Sequence, residues 1–155
     1  LPDGGWKAHY EVHGGGEGAR HNRDGCDATR VHLVNTMNTP IEVMEANFAI
    51  RVDRQTLLRD SGGKGQYQGG DGFVRQYTML ADDMVLTTCV NRMLVPPHGV
   101  CGGEDGAPFS VHLERSDGTI EALPGRCNAA LGLGDSITIE TSGGGGFGSP
   151  SKRGE

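Results

Sequence analysis

Glycine sets the terms on which this chain can fold. It occupies 27 of 155 positions, and much of it stands in dense runs: HGGGEGA (13–19), RDSGGKGQYQGGDG (59–72), PPHGVCGGEDGAP (96–108) and TSGGGGFGSP (141–150). Glycine has no side chain to bury and loses the most backbone freedom on ordering. A chain built this way leans on turns, positive-φ positions and close approaches of backbone to backbone. Only 35% of residues are hydrophobic and 5% aromatic. The chain is therefore expected to hold itself together weakly for its size, with much of its apolar surface covered by a partner. The length fits one domain, read as residues 1–150 with a polar tail over 151–155.

The formal net charge is -6, with acidic residues scattered and no basic cluster of the kind that binds nucleic acid. No apolar stretch approaches the roughly 18 residues of a membrane span, and no signal peptide is evident. Neither nucleic acid nor membrane is expected as a partner, and a cytoplasmic location is. The first residue is Leu1 rather than methionine, which reads as a processed or trimmed product. The cysteines stand singly at 26, 89, 101 and 127. Without CxxC spacing, reduced thiols are expected rather than disulfides or zinc.

Strand signals dominate the rest. KAHYEVH (7–13) alternates, with Ala8, Tyr10 and Val12 on the side expected to be buried and Lys7, His9, Glu11 and His13 on the polar side. TRVHLVNT (29–36), AIRVDRQTLL (49–58) and DSITIET (135–141) alternate likewise. FVRQYTML (73–80) and MVLTTCV (84–90) predict a hairpin around Ala81-Asp82-Asp83. SVHLER (110–115) and TIEAL (119–123) predict another around Ser116-Asp117-Gly118, where Asp-Gly favours the turn. The one helix start lies in NTPIEVMEANF, with Asn38 or Thr39 as cap, Pro40 in the first helical position and Glu42 in the first turn. The fold class that follows is mainly β, an antiparallel glycine-rich domain of about eight strands with one short helix.

No motif carries chemistry by itself. GGGEGA and SGGKGQ lack the strand, the following helix and the Gly-Lys-Ser/Thr ending of a phosphate loop. His9 and His13, four residues apart, would stand about 13 Å from each other on a strand and could not share a metal without bending it. His98, after two prolines, and His112, in a hairpin strand, read as ordinary surface and sheet residues. His32 adjoins VNTMNT, whose amides and hydroxyls either cap their own backbone or face a ligand. The residues alone leave a glycine-rich β domain with no self-sufficient active site.

Five stretches in order alter that reading: HYEVHGGGEGAR, RVHLVNTMNTPIEVME, LLRDSGGKGQYQGGDGFVRQY, PPHGVCGGEDGAP and LGLGDSITIETSGGGGFGSP. Together they resemble the C-terminal part of the hydantoinase B family, which takes in N-methylhydantoinase B subunits, 5-oxoprolinase, and acetone and acetophenone carboxylase subunits. The chain departs modestly, with Phe147 where the family often has tyrosine, Ser142 where it often has proline, and no arginine near Gln68. The family's longer N-terminal part, with its metal motifs, has no counterpart here.

The resemblance implies a non-autonomous part of an ATP-dependent enzyme. ATP and a divalent metal would sit in partner subunits: a hydantoinase A-type ATP-binding subunit and a chain carrying the N-terminal part of hydantoinase B. Neither ATP nor a metal is expected on this chain alone. ATP would phosphorylate an unreactive oxygen of a small-molecule substrate. The chain's separateness points first to the small subunit of a ketone (acetophenone-like) and bicarbonate carboxylase. A cyclic amide hydrolase is the alternative, and a purely structural subunit the third reading. Gly14, Gly15, Gly16, Thr36, Asn38 and Thr39 are the candidates for lining the cavity, with His32, Asn35 and Arg92 as candidate catalytic residues. Gly143, Gly144, Gly145, Gly146 and Phe147 are the expected subunit contact.

Overall fold

Alternation of apolar and polar side chains builds the principal sheet in a computed structural model of the chain, which describes residues 5–30 and 36–154. After a short helix, α1 (Ile41–Asn47), come β1 (Ile50–Leu58), β2 (Gly72–Met79), β3 (Met84–Cys89), β4 (Ser110–Glu114), β5 (Ile120–Ala122), β6 (Arg126–Leu131) and β7 (Ser136–Glu140). Five strands form one antiparallel sheet in the order β1-β2-β7-β4-β5, and β3 pairs with β6 as a separate ribbon. Cross-strand rows such as Val52–Tyr77–Ile137–Leu113 line the inner face. Met44 of α1, Leu131 of β6 and Leu123 complete that core. Among the described residues no helix is long and apolar enough to cross a membrane.

The β4–β5 hairpin forms where Asp-Gly places it. Gly118 takes φ +85°, and Asp117 Oδ1 accepts the Thr119 N–H at 2.8 Å. The other expected hairpin does not form, because β2 lies between β1 and β7 while β3 crosses to β6. Asp83, at φ 58°, turns the chain out of the first sheet. A turn signal marks where a chain reverses, not what it then pairs with. β6 is a further strand the sequence concealed: its inward residues Cys127 and Ala129 are too small to make the alternation stand out. The helix also starts differently. Pro40 is the N-cap and no side chain caps it, since Asn38 Oδ1 accepts from Arg30 instead.

The glycine runs form a second core made of backbone. Residues 143–148 leave β7 and pass between segments 14–19, 61–70 and 98–107. Gly143 N–H donates to Ala107 O at 3.1 Å, Gly144 N–H to Gly70 O at 2.9 Å and Gly146 N–H to Glu104 O at 2.9 Å, while Gly145 O accepts from Ala19 N–H at 2.9 Å. Groups on a β-strand point two ways in one plane, whereas these bonds rotate among several neighbours, as in an extended chain with three residues per turn. A Cβ at Gly143 would meet Gly62 N at 2.8 Å, at Gly144 Gly18 N at 2.8 Å, and at Gly145 Gly99 N at 2.9 Å. None of these glycines has positive φ, so close approach, not φ, is what requires them. The tight packing expected against a subunit is thus made to the chain's own segments. All four glycines are buried, and half-buried Phe147 bridges Tyr67 and Val100 of the same chain.

Candidate functional site

Among the described residues, Arg30 draws together a face where several expected site residues meet. Its Nη1 donates to Thr36 O at 3.1 Å and Thr36 Oγ1 at 2.9 Å, and its Nη2 donates to Asn38 Oδ1. Gly14 lets the arginine stem cross beside it, for a Cβ there would lie 2.6 Å from Arg30 Cγ. Gly14, Ala28, Thr29, Arg30, Thr36, Asn38 and Phe73 line a shallow cleft of about 170 Å³. The cleft continues along β1 past Gln55, Thr56 and Leu57. Its lining combines a guanidinium, an amide and hydroxyls with one aromatic floor, a donor set that suits a carbonyl or anionic oxygen.

Behind Phe73 lies a buried polar cluster. Residues 7–13 form no strand. They lie across the inner face of β2 with the expected orientation reversed: Tyr10 is 83% exposed, while His9, Glu11 and His13 turn inward. The cause is Arg75, which shares its face with Phe73 and Tyr77 and is 0% exposed. A buried cation needs a counter-charge. Glu11 supplies it, with Oε1 accepting from Arg75 Nη1 at 2.8 Å and Oε2 accepting from the Tyr77 hydroxyl at 2.7 Å. The Arg75 guanidinium also stands 5.4 Å from the Tyr77 ring centroid.

His9 packs on Phe48 with ring centroids 4.9 Å apart, and His13 meets Phe73 edge-on at 5.6 Å. Burial, with the positive charges of Arg75 and Arg30 against the opposing pull of Glu11, lowers the His13 pKa to about 4. The imidazole is therefore neutral at neutral pH. Burial, followed by the hydrogen bond to Glu11, pushes the Tyr77 phenol above its ordinary value.

The expected site residues divide. Gly14, Thr36 and Asn38 come together at the cleft. Gly15 and Gly16 turn away into the glycine core, where Gly16 N–H donates to Ser142 O at 2.9 Å. Thr39 is half-buried before α1 and Arg92 is exposed in the loop after β3; neither lines the cleft. His32 and Asn35 lie outside the described residues. Within SGGKGQ, Gly62 N–H donates to Asp71 Oδ1 at 3.0 Å and Gly63 N–H to Gly144 O at 2.8 Å. Among the described residues no three His, Cys, Asp or Glu side chains gather as a metal site, and all four cysteines are free thiols. Sequence reasoning passed over Arg30, Glu11 and Arg75. Only Arg75 had a usable signal, as a charge in step with Phe73, Tyr77 and Met79 along an alternating strand.

Residues 2–150 match the family described as Hydantoinase B/oxoprolinase. An uncharacterized Methanocaldococcus jannaschii protein is 44% identical over 149 residues, 96% of this chain and 26% of that protein. The 5-oxoprolinase of Dictyostelium discoideum is 34% identical over 140 residues, 90% of this chain and 11% of the enzyme. The chain thus spans about a quarter or less of these relatives. Two solved structures share the fold. The nucleotide-free acetone carboxylase has a TM-score of 0.74 at 19% identity, with 90% of this chain and 23% of that chain covered. The ATP-dependent caprolactamase of Pseudomonas jessenii has a TM-score of 0.76 at 23% identity, with 90% and 25% covered. With nearly its whole length matched, this chain belongs to the hydantoinase B/oxoprolinase family.

Proposed function

We propose that this chain supplies one wall of the substrate cavity in an ATP-dependent enzyme that opens a cyclic amide. The observation that carries the cavity role is the cleft itself, where Arg30, Thr36, Asn38 and Gly14 meet over Phe73. Arg30 would hold the anionic phosphoryl oxygens that the substrate's oxygen carries once it is activated. Asn38, with its Oδ1 held by Arg30, has its amide N–H groups to offer. Phe73 keeps water from one side, which labile activated oxygens require. ATP and a divalent metal would be bound by partner subunits and would supply the phosphorylation; this chain's residues would bind and orient. The cyclic amide reading draws support from the relatives above 30% identity, which include 5-oxoprolinases of Dictyostelium discoideum and Arabidopsis thaliana. A ketone carboxylase, favoured on sequence organisation, is the second reading and draws on fold likeness to acetone carboxylase.

The assembly that contains this chain should be assayed for ATP turnover with 5-oxoproline or a hydantoin, and with acetophenone plus bicarbonate. Stimulation by the cyclic amides is expected. Stimulation only by the ketone would overturn the hydrolase reading. Arg30→Met should raise KM about tenfold or more, since charge-assisted hydrogen bonds are worth about 1.5–3 kcal/mol. Unchanged kinetics in Arg30→Met would leave the chain a scaffold.

A further inference from the structure

Among the described residues, Arg75 is the cation buried with its bonding unfinished. Arg75 is wholly inaccessible, yet only Nη1 is engaged, by Glu11 at 2.8 Å. Nε and Nη2 have no partner. These two nitrogens are the paired edge of the guanidinium, whose parallel N–H bonds fit both oxygens of a carboxylate or two of a phosphate. Leaving such donors buried and unpaired is costly, and native structures seldom tolerate it without a reason. Two more buried nitrogens on the overlying segment are also unpaired, His9 Nε2 and His13 Nδ1.

We infer that Arg75 anchors a buried oxyanion site, in which a carboxylate or phosphate group takes the Nε–Nη2 edge while Glu11 fixes the arginine through Nη1. Glu11 already balances the charge of Arg75, so the incoming anion needs further positive potential. Arg30, which lines the same cleft as Phe73, is the further cation on this side of the sheet. Access is from the cleft. Gln55 and Leu57, the cross-strand partners of Arg75 and Phe73, both line it, and Phe73 is one side-chain repeat, about 7 Å, from Arg75 along the strand. Arg75 is wholly buried, with His13 set edge-on against the neighbouring Phe73. Binding therefore requires that packing to open.

The test is an NMR titration of the full 155-residue chain carrying 15N-arginine. The Arg75 Nε–H resonance is followed as inorganic phosphate or acetate replaces chloride at constant ionic strength. A saturable shift with either anion supports the site: with phosphate alone the ligand class is a phosphate, with acetate alone a carboxylate. Calorimetry on Arg75→Lys, which keeps the charge and loses the fork, should show binding weakened about tenfold or more. No saturable shift with either anion, or equal affinity in Arg75→Lys, overturns the proposal. If Arg75→Lys does not fold, the resonance is assigned through bonds and the wild-type titration decides. No catalytic readout enters, so this result is separable from the reaction proposed above.

Discussion

A single methyl group placed at Gly16 should break the glycine core. A Cβ there would lie 2.7 Å from Gly144 N and nearer still to Gly70 O. An ordinary contact is about 3.5 Å, so the segments must part by at least about 0.8 Å. Three hydrogen bonds cross at this point: Gly16 N to Ser142 O, Gly70 N to Glu17 O and Gly144 N to Gly70 O, each 2.9 Å. Parting lengthens them beyond the roughly 3.2 Å limit of a sound bond. At about 1–3 kcal/mol for each buried group left unpaired, Gly16→Ala should destabilise by at least about 3 kcal/mol. For a domain of this size that lowers Tm by roughly 6–12 °C. Gly18→Ala is the control, because its Cβ would meet nothing nearer than Gly145 O at 3.8 Å. Calorimetric melts of both variants decide. If Gly16→Ala melts with Gly18→Ala, close backbone packing is not what holds these segments.

Two further perturbations separate burial from backbone strain. The folded His13 pKa of about 4 against an ordinary 6.5 means that the unfolded chain takes up a proton the folded chain refuses. Stability from this residue is then complete above about pH 6.5 and falls by about 3 kcal/mol as pH drops towards 4. Urea midpoints at pH 7 and pH 4.5 should converge for His13→Phe relative to wild type; parallel losses in the two proteins would refute burial of the imidazole. Arg92 is exposed with φ 67°, a conformation that suits glycine. Arg92→Gly is accordingly expected to raise stability by up to about 1 kcal/mol, and a loss in urea denaturation would count against that conformation.

Much of the sheet was legible because its strands carry large side chains in strict alternation. β1 and β7 appear almost where the pattern places them, and the Asp117-Gly118 turn fixes the β4–β5 hairpin for a local reason. The five ordered motifs likewise pointed to the family whose match extends over residues 2–150. Three of the cleft's lining residues, Gly14, Thr36 and Asn38, were also among those the sequence singled out, the last two as part of a run of amides and hydroxyls. Arg30 was not, since an arginine in a strand-like run reads as ordinary surface until its partners are known.

What the residues determined by themselves is local: period, turn chemistry, and the need for glycine in four runs. Tertiary structure alone decided the sign and the partners of those patterns. Alternation over 7–13 has a period but no direction, and Arg75, buried in β2, drew Glu11 inward and left Tyr10 outside. Glycine runs carry no side-chain pattern that names a neighbour. Only the folded chain shows residues 143–146 against 14–19, 61–70 and 98–107, because backbone hydrogen bonds are satisfied by whichever segment geometry brings within reach.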